Sequence, residues 1–369
     1  MGTNTPTHAC RPGELTCWLL DTRELWPGDN ILAAEGAGEA LAMISVPEQN
    51  AVRSKMFVQD ARMSLGSALL KRLYISKTLG IDWKNVRVAR KSNEKHGKPC
   101  AVDIAGQPIP GIDFNVSHQG GLVALIGYDA LVGSSFAQSE TIDGSVDEVK
   151  CGVDIVCVNE RNDYRTIDEE GFDGWIDIYE FVFSNEERWS MKYDVDYITL
   201  KDGSILNSQE LGRHDRCISR NKTINVTTSG CKEVSFPSNL IVEAKLRRFY
   251  AYFCYKEAYI KMTGEALLAP WLKQLEFSNV RSPKPVVKPT YSTHNIWGEE
   301  VDDVEISLHG QPVSGVRMKS LAFEENFMIS TAVQCELQCL QIPAFQKLNL
   351  QTDVLAFASS ARELQTKDL

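Results

Sequence analysis

The stretch Tyr252-Phe253-Cys254-Tyr255-Lys256-Glu257-Ala258-Tyr259-Ile260-Lys261 constrains this chain more than any other segment. Together with Leu246, Phe249 and Tyr250 upstream, its apolar residues recur at three- and four-residue intervals, which predicts a helix embedded in the protein. Glu257 and Lys261, four residues apart, then stack on one face. A carboxylate held there can bind a metal or take a proton. The plain alternative is a solvated surface pair contributing a few tenths of a kcal/mol. Gly264, just past Met262, is the kind of residue that ends a helix in the left-handed conformation.

Two other segments weigh against the surface pair. Cys151-Gly152-Val153-Asp154-Ile155-Val156-Cys157-Val158 is a β-branched run of strand length with one acid in its middle. Alternation sets Asp154 opposite Val153 and Ile155, and a lone carboxylate in so apolar a strand needs a partner or a metal. In Ile112 to Gly121 an alternating strand runs into Ser117-His118 and a Gly-rich turn, and a second strand resumes from Leu122 to Ile126. His118 therefore sits where a hairpin closes and can face a ligand, although a single histidine in a strand is often structural. Ser117 beside His118 is no hydrolase triad, because adjacent strand residues face opposite sides and the elbow's flanking glycines are missing.

The formal net charge of −10 argues against a general nucleic-acid binder. Yet Arg53 to Lys98 holds twelve Lys and Arg against three Asp and Glu, a surplus of nine. A basic segment on an acidic chain suggests an anionic ligand, the bland alternative being a solvated helix face. The ten cysteines form no Cys-x-x-Cys pair and read as reduced thiols, so zinc is not expected. Gly36-Ala37-Gly38 lacks the rest of a dinucleotide fingerprint, and no Walker-type phosphate loop is present. With no signal peptide, no spanning apolar run and Pro6 where myristoylation wants Ser or Thr, the chain reads as cytoplasmic, its sequons at Asn115, Asn221 and Asn225 unused.

Length and an apolar fraction of 43% allow two domains with a sizeable core. The pattern predicts a strand near Cys17 to Asp21, a helix from about Gln59 to Leu79, the hairpin around His118, and a polar separator from Asp129 to Val149. The second half opens with the Asp154 strand and continues with an acidic segment, Glu160 to Glu187, helical over Trp175 to Phe183. Residues 193–238, rich in Ser, Asn, Thr and Gly, look like a variable, partly mobile insertion. The Glu257 helix follows, then strands near Leu275 to Asn279, Val304 to Leu308, Val316 to Leu321 and Phe327 to Val333. This divides the chain into 1–150, 151–335 and a tail, 336–369, without assignable chemistry. Each half has a long helix followed by an antiparallel pair.

Phe114-Asn115-Val116-Ser117-His118-Gln119, then Gly152-Val153-Asp154, then Lys256-Glu257-Ala258 with Lys261, resembles the 4'-phosphopantetheinyl transferases of the surfactin-synthetase-activating type. Gly97-Lys98-Pro99-Cys100 is similar to that family's Gly-Lys-Pro segment, and Arg62-Met63-Ser64-Leu65 falls in its early helix. Cys157 to Arg161 and Lys261 to Trp271 resemble filamentous-fungal members in particular. Four motifs in order across Arg53 to Phe277 are a specific signal. The resemblance implies an α+β fold, a pseudo-dimer of two similar α+β subdomains with the active site in the cleft between them. It implies transfer of the 4'-phosphopantetheine group of coenzyme A to a serine of apo acyl, peptidyl or aryl carrier proteins, releasing adenosine 3',5'-bisphosphate. Asp154 and Glu257 would hold Mg²⁺, or Mn²⁺ in its place, against the diphosphate. Glu257 or His118 would take the serine proton, and Lys261 would neutralise or protonate the leaving group. Arg53, Arg62, Ser64, Lys98, Pro99, Ser117, His118 and Lys261 would contact coenzyme A. The partners are then coenzyme A and carrier proteins, with no nucleic acid or membrane, and the protein is a monomer.

One departure stands out. Bacterial members carry a Glu two residues after the metal-binding Asp, and Val156 stands there instead, leaving the third metal ligand open. The competing reading is a degenerate homologue that binds coenzyme A or a carrier without transfer; intact Asp154, Glu257, Lys261 and His118 count against it.

Overall fold

The computed structural model describes residues 13–91, 97–130, 149–265, 269–286, 297–335 and 340–363. Its organisation is mixed α+β, with two four-stranded sheets and a long helix against each. The first sheet runs Gln346–Leu348, Glu14–Asp21, Leu122–Asp129, Ile112–Gln119 in space, and only the first of these pairings is parallel. The second runs Trp297–Val301, Val316–Phe323, Phe327–Gln334, Lys150–Cys157, antiparallel throughout. Alternation assigns the faces. Leu15, Cys17 and Leu19 join Val153, Ile155, Ile329 and Val333 in a core shared by both sheets. Trp18 and Leu20 pack instead with Leu65, Leu69 and Leu73 of the helix Val58–Leu79. Val156, Met318 and Met328 pack with Leu246, Phe249 and Tyr250 of the helix Asn239–Thr263. Burying a side chain such as Leu19, fully enclosed, is worth about 2 kcal/mol. Because strands near the centre are covered on both faces, Leu122 to Ile126 reads as a continuous apolar run.

Several expectations change. The helix expected over Trp175 to Phe183 is displaced: a helix spans Asp163–Asp177, interrupted at Gly171 (φ 76°), and another spans Asn185–Tyr193. The capping box of Ser184 and Glu187 starts the second helix just past the end of the expected one. The segment 193–238, expected to be partly mobile, forms two hairpins, Tyr197–Thr199 with Ile205–Asn207 and Thr223–Thr227 with Glu233–Pro237. Ile198, Leu206, Leu211, Ile224, Val226 and Phe236 give it a core of its own, closed by Ile241 of the long helix. The tail is structural as well. Gln346–Leu348 adds a strand to the first sheet, and Leu350, Val354 and Ala358 enter the first core. Most of the expected separator, residues 131–148, lies outside the described residues, as do Ala266 to Leu268 of the fungal-type motif.

Candidate active site

The site is built where edge strands of the two sheets meet. Ile112–Gln119 and Lys150–Cys157 share no ladder of backbone hydrogen bonds, and polar side chains at every second position of the first strand take its place. Asp113 Oδ2 accepts from Cys151 N at 2.9 Å, Asn115 Oδ1 accepts from Val153 N at 3.0 Å, and Ser117 Oγ donates to Asp154 Oδ1 at 2.8 Å. Period two sends all three to one side, which is why this strand mixes acid, amide and hydroxyl with Phe114 and Val116. Asn115 is buried in this role, which keeps its sequon out of reach in the fold. The hairpin beyond His118 closes through Gly120 (φ 57°) and Gly121 (φ 84°), the two left-handed positions of a two-residue turn.

The long helix lies directly on the Asp154 strand at Gly152. A Cβ there would stand 2.2 Å from Ala258 O and 2.4 Å from Met262 N, so only glycine lets helix and strand approach this closely. That contact brings Glu257 and Lys261 to Asp154, two residues along on the same face. Lys261 Nζ donates to Asp154 Oδ1 at 2.6 Å and to Ser117 Oγ at 2.9 Å. Glu257 is buried, and its Oε1 has no hydrogen-bond partner. The helix ends at Gly264 (φ 81°), as its sequence predicts.

The electrostatics follow from this crowding. Glu257 is pushed up to about 7, first by burial and then by the Asp154 carboxylate, against the pull of Lys261 and Arg161. Burial would lower Lys261, but Asp154 and Glu257 outweigh it and hold the ammonium above its ordinary value. His118 follows Ser117 near the end of its strand and is partly open to solvent. Partial loss of water around its ring, then the Lys261 charge, push it below the usual imidazole value, so it is neutral near pH 7.

Ser117, His118, Asp154, Glu257 and Lys261 thus come together, and the remaining residues expected at the site do not all join them. Lys98 is buried, its ammonium paired with Asp113 and donating to Cys151 O at 2.7 Å, in the junction between the sheets. Pro99 begins the short strand Pro99–Ala101, half-buried. Arg62 donates to Trp26 O at 3.1 Å and Gly28 O at 2.9 Å. Arg53 is exposed and bonds Gln49, and Ser64 is half-buried on its helix. Lys55, which acts electrostatically on His118, is exposed beside them. Sequence reasoning missed Arg161, which acts on Glu257 and lines a small slot with Gln119, Val156 and Phe253. A cavity of about 360 Å³ between Tyr197, Leu240, Arg247 and Pro285 contains none of the five clustered residues.

The donor set fits a hard cation in part. Glu257 offers an unpartnered carboxylate oxygen beside Asp154, whereas Val156 is packed in the helix core and no group of three or more His, Cys, Asp or Glu assembles among the described residues. Among them, too, no helix is long and apolar enough to cross a membrane.

A family model described as "4'-phosphopantetheinyl transferase, N-terminal" matches residues 35–130. A 4'-phosphopantetheinyl transferase of Aureobasidium melanogenum is 59% identical over 345 residues, spanning 94% of this chain and 98% of its own. The 4'-phosphopantetheinyl transferase A of Aspergillus fumigatus is 34% identical over 87% of this chain and 83% of its own, and NpgA of Emericella nidulans is 30% identical over 87% and 82%.

Proposed function

The chain belongs to the 4'-phosphopantetheinyl transferases, and we propose that it moves the 4'-phosphopantetheine arm of coenzyme A onto a serine of apo carrier proteins, releasing adenosine 3',5'-bisphosphate. The active site is the junction of the two halves, which form a pseudo-dimer. The observation that carries this reading is the buried pair Asp154 and Glu257, one oxygen of Glu257 unpartnered, bridged to the first half by Lys261 and Ser117. Asp154 and Glu257 would hold Mg²⁺, which would supply neutralisation of charge on the diphosphate and the transferred phosphoryl group.

The chain's own residues then divide the work. Glu257, buried with one oxygen unpartnered, is the first candidate to take the serine proton, directly or through water; neutral His118 is the second. Lys261, held above its ordinary value by Asp154 and Glu257, neutralises or protonates the leaving phosphate. Lys55 and Arg53, both exposed, form the basic approach for coenzyme A phosphates, with neutral His118 available as a hydrogen-bond donor. The protein works as a cytoplasmic monomer. Incubation with coenzyme A, Mg²⁺ and an apo carrier domain tests the reading: a mass gain on the carrier serine supports it, and binding of coenzyme A without modification favours a degenerate binding module.

A further inference from the structure

Lys256 is the one charged residue of the helix motif that the chemistry leaves unused. It precedes Glu257 by one step, which turns its side chain about 100° round the axis and away from the site. There it is 1% exposed, with Nζ 2.9 Å from Glu187 Oε2 and donating to Leu272 O at 3.1 Å and Leu275 O at 2.5 Å. Three acceptors match the three ammonium hydrogens. Glu187, equally buried, also accepts from Ser184 N and Phe277 N, both at 2.9 Å. One ion pair therefore joins the long helix to the cap of the helix Asn185–Tyr193 and to the strand Leu275–Ser278.

Packing alone does not account for this pair. Burial pushes Lys256 below and Glu187 above their ordinary values, so each charge is held at a cost, and apolar side chains of similar volume would fill the space as well or better. A charged pair adds direction that apolar contacts lack. We propose that Lys256 and Glu187 are positioning residues that fix the rotation and axial setting of the long helix, and through it hold Glu257 and Lys261 against Asp154. A slip of one residue would swing Glu257 by about 100° and shift it by about 1.5 Å. The proposal rests on the transferase reading above.

The test is the double variant Lys256→Met/Glu187→Leu, assayed beside wild type with coenzyme A, Mg²⁺ and an apo carrier domain, together with its melting temperature. The expected result is a melting temperature near or above wild type, kcat reduced about tenfold or more, and KM for coenzyme A within about threefold. A kcat within about threefold of wild type would overturn the proposal, whatever the stability. Should the double variant fail to fold, Glu187→Gln, which keeps the shape but turns an amide toward the Lys256 ammonium, is measured in the same way: a fall in kcat at unchanged KM supports the proposal, and an unchanged kcat overturns it. If wild type itself does not transfer, the reading falls and the proposal with it.

Discussion

Replacing Gly152 with alanine changes the site by one methyl group placed between strand and helix. The local backbone tolerates alanine, since Gly152 is not among the residues with positive φ. The obstruction is the helix: the new Cβ would meet Ala258 O at 2.2 Å, Met262 N at 2.4 Å and Met262 Cα at 2.9 Å, where ordinary contact begins at 3.4 Å. All three are backbone atoms, so no rotamer change relieves the clash, and the helix must withdraw by roughly 1 Å. Overpacking of this kind costs about 1–3 kcal/mol, a fall of a few degrees in melting temperature at about 2–4 °C per kcal/mol for larger domains. The functional loss should be greater. Glu257 and Lys261 ride on the displaced turns, and a misplacement of about 1 Å costs about 10²-fold in rate. The assay is kcat/KM for carrier modification on protein whose circular dichroism matches wild type. A folded Gly152→Ala variant within about threefold of wild type would refute the claim that close helix approach sets the site.

Asp154→Ala should abolish transfer at ordinary Mg²⁺ while leaving the protein folded, because the Lys261 ammonium it releases is partly exposed and can be hydrated; wild-type turnover with unchanged metal dependence would remove Asp154 from the metal site. Lys98→Ala should lower stability by about 1.5–3 kcal/mol by removing the nearer of the two lysines paired with the buried Asp113, Lys91 remaining at 3.4 Å, seen as a lower urea midpoint, and a variant of normal stability with a raised KM for coenzyme A would support phosphate binding by Lys98. Glu257→Gln should be nearly inactive at neutral pH; partial rescue by high Mg²⁺ would mark its role as metal binding, no rescue as the base. A carboxyl that titrates near 7 in the fold against 4.5 ordinarily favours the fold below pH 4.5, and that contribution is lost as pH rises through 7. Folded Glu257→Gln should therefore melt higher than wild type at pH 8, with the gap closing toward pH 5.

The parts of this site that were legible in the sequence are those written in local periodicity. The helix phase that stacks Glu257 on Lys261, its end at Gly264, the Gly120-Gly121 turn and the isolation of Asp154 each follow from neighbours a few residues away. Asp113, Asn115 and Ser117 on one face also carried a readable period of two, but that period does not name their partners, Cys151, Val153 and Asp154, which lie 37 or 38 residues off. Lys98, expected from the Gly-Lys-Pro resemblance to contact coenzyme A, likewise has a distant partner that its neighbours do not name, the buried Asp113 fifteen residues on. In 193–238, polar composition hid the alternation of Ile224 and Val226, enough to build a small core.

The most direct test of the whole account is intact-mass analysis of an apo carrier domain after incubation with this protein, coenzyme A and Mg²⁺, with Asp154→Ala in parallel. The account predicts one phosphopantetheine added to the carrier serine by wild type, none without Mg²⁺, and none by Asp154→Ala. Coenzyme A bound while the carrier stays unmodified, or modification that persists in the Asp154→Ala variant, would contradict it.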